Sequence, residues 1–323
     1  MTITSKFHPF NSIIAPILMV VVLGALGFLL VFLSFLDVNI GKVDSIFKTP
    51  IYGSFLLFAA AIGLVYHYLK TCKKIQINNN GIKLSSLFNS ESIPWNEIIK
   101  IELIGKSRNR MIIAETTNLD LKSGKEIDII ASYYQNMPSL RITLEQVHQF
   151  LTNNEPVELK QAPIPHKPES VWHLNLNAMK KYSNNHFLSF NGIMIYGWIA
   201  FSIYFLLTLG LTRNLGSLLL VTSVMSGIFY GFLGYQLHYF YLDKNYLVVK
   251  NHVWPWVNHI YKIEDINEVA LEIPYKRSIS LRVITKEYQS KLYQGGSLRK
   301  NTWEKLMKDF NDLKVNVTNA VLI

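Results

Sequence analysis

The residues best suited to chemistry in this chain are cations in two short runs. Lys106, Arg108 and Arg110 form one, and Lys276 and Arg277, with Arg282 close by, form the other. Cations on a turn between strands suit anionic headgroups, each adding about 1 kcal/mol near a charged membrane surface. They equally suit a solvated hairpin tip. Trp254-Pro255-Trp256 is the most distinctive local feature, two aromatics around a proline. Such a tip can enter a membrane interface, meet a partner, or simply end a strand. Gly295-Gly296, ahead of a helix and near Arg299, could seat an anion on backbone N–H groups, or just close a loop.

Other chemistry finds little to run on. Nine histidines are scattered without an i, i+4 pair, so no metal site is expected. Cys72 is the single cysteine, which rules out an intrachain disulfide and a thiolate metal centre. It lies among Lys70, Lys73 and Lys74, where an acyl group could attach, although an unmodified thiol is the simpler reading. There is no Gly-rich phosphate loop with Lys-Ser/Thr, no His-Glu-x-x-His and no Gly-x-Ser-x-Gly, so neither an enzyme nor a cofactor is expected. Asn316-Val317-Thr318 fits a glycosylation sequon, a chance match if this part of the chain faces the cytoplasm.

The elements that must position these residues begin with four uncharged apolar blocks. Residues 13–36, 51–69, 193–211 and 218–237 are each long enough to cross about 30 Å of hydrocarbon. Charged residues make up only 17% of the chain, and the shortfall is concentrated in these blocks. The expectation is two transmembrane hairpins in the cell membrane. Lys70, Lys73 and Lys74 follow the second block, Lys180 and Lys181 precede the third, and Lys244 and Lys250 follow the fourth, while the hairpin loops have little net charge. The positive-inside rule then places both termini and both soluble regions in the cytoplasm. His67 and His238 stand at helix ends beside tyrosines, as interfacial residues do. The net charge of +10 has no dense basic block behind it: residues 70–160 hold 12 Lys/Arg against 10 Asp/Glu, and 238–323 hold 13 against 9. Nucleic acid is not an expected partner.

Internal repetition organises the rest. Phe7-His-Pro-Phe10-Asn11 returns as Phe187-Leu-Ser-Phe190-Asn191, immediately before the first helix of each hairpin. Ile75-Gln-Ile77-Asn78 lines up with Phe240-Tyr-Leu242-Asp243, and Trp95-Asn-Glu97-Ile98 with Ile263-Glu-Asp265-Ile266. Tyr134-Gln135 with Ser139-Leu140-Arg141 matches Tyr293-Gln294 with Ser297-Leu298-Arg299. Each soluble unit shows alternating strand patterns, then one amphipathic helix carrying Leu144, Val147 and Leu151 or Trp303, Leu306 and Phe310. The boundaries expected are a hairpin in 1–69, a β-domain in 70–152, a Pro-containing linker in 153–190, a hairpin in 191–237, a β-domain in 238–315 and a tail in 316–323. Within the linker, residues 171–182 suit either an interfacial amphipathic helix or a loop.

β-strands closed by one C-terminal helix, directly after a two-helix hairpin, resemble the bacterial pleckstrin-homology-like membrane proteins. The resemblance rests on the strand–turn–strand after each hairpin, on Ile93-Pro94-Trp95-Asn-Glu97-Ile98 and Lys262-Ile263-Glu264-Asp265-Ile266, and on the closing helices. It implies an α+β membrane protein, with four transmembrane helices and two split β-barrels, in a non-enzymatic scaffold or interaction role. The expected partners are the bilayer, anionic headgroups, an unidentified protein and a further copy of the chain. A small channel or transporter built from oligomerised hairpins, and an immunity protein against a membrane-acting toxin, stand as alternatives.

Overall fold

A computed structural model describes residues 2–41, 45–48, 51–87, 89–108, 114–153, 155–160, 174–209, 215–274 and 278–319. The chain is a mixture of helix and sheet, divided into two compact units, Met1–Ile164 and Pro165–Ile323.

The first unit opens with strand β1 (Thr2–Thr4) and a wide helical turn, Phe10–Ile14, leading into α1 (Ala15–Asn39). Pro16 explains the wide turn. It has no N–H to give to the carbonyl four residues back, and that carbonyl, on Ser12, instead accepts the Tyr68 hydroxyl. α2 (Ile51–Thr71) returns beside α1, with Phe58 set edge-on against Phe28 at 5.2 Å. Then come β2 (Lys74–Asn78), β3 (Gly81–Ser85) and β4 (Ser90–Pro94), forming one antiparallel sheet in the order β1-β2-β3-β4. A second sheet holds β5 (Ile98–Lys106), β6 (Glu115–Leu121) and β7 (Glu126–Ile130), and α3 (Met137–Thr152) closes the module.

The second unit runs through the same order. β8 (Lys180–Tyr182) precedes α4 (Phe190–Leu209) and α5 (Leu215–Gly234). β9 (His238–Leu242), β10 (Tyr246–Asn251) and β11 (Asn258–Lys262) join β8 in one sheet. β12 (Ile266–Glu272), β13 (Ser280–Thr285) and β14 (Ser290–Gln294) form the other, α6 (Lys300–Asp312) closes it, and β15 (Asn316–Asn319) pairs in parallel with β12. Asn78 Oδ1 accepts from the backbone N–H groups of Asn80 and Gly81, and Asp243 Oδ1 accepts from Asn245 and Tyr246. These side chains fix the same turn in both modules. A bulge falls between Ile98 and Lys100 in one module and between Ile266 and Glu268 in the other.

Each module has its own core, drawn from both sheets and the closing helix. Ile77, Ile82, Leu119, Leu140 and Leu144 are buried together in the first, and Phe240, Leu247, Val269, Leu281, Trp303 and Phe310 in the second. The long helices show the opposite pattern. Phe28, Leu56 and Ile62 are about 70% exposed, at 69%, 71% and 70%. Water would penalise that arrangement and hydrocarbon would not. Among the described residues, three helices are long and apolar enough to cross a membrane: Phe10–Asn39, Ile51–Thr71 and Phe190–Thr208. The fourth expected block forms α5, which begins three residues early and ends before Gln236, a residue bonded into the module.

Three boundaries need correction. β1 lies before the first hairpin yet pairs with β2 after it, with Ile3 opposite Ile77. β8, placed by its sequence in a linker or amphipathic helix, pairs with β9, with Lys181 opposite Tyr241. Only a short turn, Leu176–Ala178, precedes it, and residues 171–173 lie outside the described residues. The tail supplies β15. Strands of three or four residues carry no readable periodicity; pairing with a distant partner creates them.

Candidate functional site

The expected basic patch divides once side chains are placed. Arg108 follows β5, and its guanidinium meets Asp120 at 2.6 Å and Glu126 at 3.2 Å, while its N–H reaches Asp128 Oδ2 at 2.9 Å. Arg282 lies on β13 rather than at a tip. It is 13% exposed and bonded to Glu272 at 2.6 Å and Ser290 at 3.1 Å. Both arginines are thus held by carboxylates of their own module, which offsets the charge they would offer a headgroup. Lys106 is exposed at the end of β5. Arg110, Lys276 and Arg277 lie outside the described residues.

The aromatic tip is built into the base of the second hairpin. Asn251 Oδ1 accepts from the N–H groups of Val253 and Trp254, which turns the chain sharply after β10. Asn251 Nδ2 donates to the carbonyl of Gly234 at 2.9 Å, and Tyr230 donates to the carbonyl of Val253 at 3.0 Å. Trp254 therefore sits against Tyr230 and Tyr235 at the end of α5, and Trp256 stacks on it at 6.2 Å while remaining 70% exposed. Aromatic side chains grouped at the end of an apolar helix are the usual composition of a membrane–water interface.

Next to that tip is a group that sequence reading passed over. The His252 ring stacks on Tyr239 and on His186, each at 4.3 Å. His186 in turn hydrogen-bonds the Tyr196 hydroxyl at 3.0 Å. The Lys181 ammonium stands 5.2 Å from the Tyr239 ring centre and 5.8 Å from that of Tyr241, within cation–π range. Burial, then the neighbouring His186 and Lys181, push His252 down to about 4. Burial also lowers His186. The first module has no such group: Lys74 and Gln76 occupy the places of Tyr239 and Tyr241, and Thr4 that of Lys181. Lys181, Tyr239, His186 and His252 come from β8, β9 and the segments beside α4 and β10, so no sequence spacing advertises them.

A second polar seam joins the two sheets of that module. His238 Nδ1 faces the Gln294 carbonyl at 3.1 Å, Tyr261 and Tyr293 share a hydroxyl hydrogen bond of 2.5 Å, and Lys291 meets His259 at 2.9 Å. Burial pushes His238 and His259 down to about 4 and Tyr261 up to about 12. Among the described residues, no group of three His, Cys, Asp or Glu side chains is placed to hold a metal ion. Gly295-Gly296 is bound into the fold, the Gly296 N–H donating to the Gln236 carbonyl at 2.7 Å. No protein-family model matches the chain, and no curated protein matches it.

Proposed function

We propose that this chain is a four-helix integral membrane protein in which each hairpin carries one pleckstrin-homology-like module on its cytoplasmic side, and that it works without enzymatic activity as an anchored interaction protein. The observation that carries this reading is the pairing of β1 with β2 and of β8 with β9. A strand entering each hairpin is bonded to the strand leaving it, so both ends of a hairpin emerge beside the same module. Further bonds tighten the joint. Ser12 donates to the Tyr133 carbonyl at 2.5 Å and Asn11 to Ser132 at 3.1 Å in the first unit, and Ser278 donates to Gln236 Oε1 at 3.2 Å in the second.

Such a joint holds a small β-module close to the bilayer, where the Trp254–Trp256 tip enters the interface and the remaining module surface meets a protein partner. The matched turns, bulges and cores support an internal duplication, with the second copy specialised at its membrane edge. The test is side-specific labelling of single cysteines in a Cys72→Ser background in sealed cells. Cysteines at Ser90 and Lys286, both exposed, should react with an impermeant reagent only after permeabilisation, whereas one at Ser45, in the first hairpin loop, should react from outside. Reaction of either module position from outside would overturn the reading.

A further inference from the structure

We infer that the base of the second hairpin is a binding site for the phosphate of an anionic phospholipid headgroup, centred on Lys181 and backed by the Tyr239–His252–His186 stack. The inference rests on the membrane reading above and adds a ligand to it.

Position supplies the first argument. Lys181 is exposed, and among the described residues no carboxylate pairs with its ammonium, whereas neighbouring Lys180 is paired with Asp309. Lys181 stands above two tyrosine rings, which orient the cation without neutralising it. Leading into α4, Phe187 and Leu188 are 54% and 68% exposed, and Phe190, the first residue of α4, is 75% exposed. Along the chain, a cation in β8 gives way to exposed apolar side chains at the start of α4, the sequence of headgroup and tail in a phospholipid.

His252 supplies the second. It carries a buried Nε2 that has no hydrogen-bond partner among the described residues. The ring is packed by Tyr239 of β9 and by His186 ahead of α4, with Lys181 of β8 within electrostatic reach; none of these can balance a proton on it. An anion on Lys181 would provide that balance, so headgroup binding and His252 protonation favour each other.

The test is NMR titration of the His252 imidazole in the full chain, its resonance assigned with His252→Gln. The chain is held in nanodiscs of phosphatidylcholine, of phosphatidylcholine mixed with phosphatidylglycerol, or of phosphatidylcholine with inorganic phosphate added. The expected result is a pKa higher by roughly one unit with phosphatidylglycerol, a tenfold gain in proton affinity. Lys181→Gln should abolish this difference between lipids. A shift that survives Lys181→Gln belongs to the general surface potential and overturns the site, as does no shift at all. An equal shift from inorganic phosphate alone would replace the lipid with a diffusible anion and overturn the lipid assignment. Failure of the labelling test would reverse orientation and leave this titration unaffected, so the two results are separable.

Discussion

Arg141 is the sharpest place to test how the first module is held shut. Its side chain is 1% exposed in α3, with Nη1 2.7 Å from Glu115 Oε1 and Nε donating to Thr117 Oγ1 at 3.1 Å, both on β6. Arg141→Met keeps most of the stem and removes the guanidinium. Glu115, only 13% exposed, then loses the guanidinium 2.7 Å from its Oε1. Breaking one side of a buried pair costs about 3–5 kcal/mol, because the remaining charge is stranded in low dielectric. For a module of this size that is a fall in Tm of roughly 12 °C or more. Hydrogen exchange in detergent micelles gives a direct reading. Amides of β5, β6, β7 and α3 that exchange through opening of the module should lose protection by about a hundredfold or more. Adding Glu115→Gln removes the carboxylate charge as well and should restore at least half of the loss. If Arg141→Met alone changes stability by less than about 1 kcal/mol, the claim that this pair fastens the helix to the sheet fails.

Two further outcomes follow from local geometry. His238 titrates near 4 when folded, against about 6.5 unfolded, so the unfolded chain binds the extra proton between those values. Its contribution of about 3 kcal/mol is therefore present above pH 6.5 and lost as pH falls toward 4; His238→Asn, which can keep a donor toward the Gln294 carbonyl, should flatten that part of the pH dependence seen by hydrogen exchange in β9 and β14. Gly81 begins β3 where a Cβ would stand 2.2 Å from the Ile93 carbonyl oxygen, so Gly81→Ala should force β3 and β4 apart and cost about 1–3 kcal/mol in thermal unfolding of the first module.

The two modules also show where a repeated sequence ceases to mean a repeated role. Ser139-Leu140-Arg141 and Ser297-Leu298-Arg299 are the same tripeptide. α3 begins at Met137, so Arg141 lies inside the helix and turns into the core. α6 begins only at Lys300, which leaves Arg299 exposed ahead of it. Leu140 and Leu298, by contrast, are buried in both modules.

What could be read from the residues alone was whatever depends on runs and periods. Uncharged blocks about twenty residues long identify apolar helices through the cost of taking charge into hydrocarbon. Alternating Ile75, Ile77, Ile82 and Leu84 identify a half-buried sheet. Trp254-Pro255-Trp256 drew attention because aromatics flanking proline are conspicuous in any context. Tertiary structure decided the matters that depend on distant partners. β1 and β8 exist because a sheet edge waits for them on the far side of a hairpin, and three residues have no propensity strong enough to announce a strand. Arg108 and Arg282 look like free cations in a linear text, and only folding brings Asp120, Glu126 and Glu272 against them. Lys181, His186, Tyr239 and His252 come together for the same reason. Side-chain chemistry is set by what lies within a few ångströms, and in a β-module those neighbours come from strands far apart in the chain.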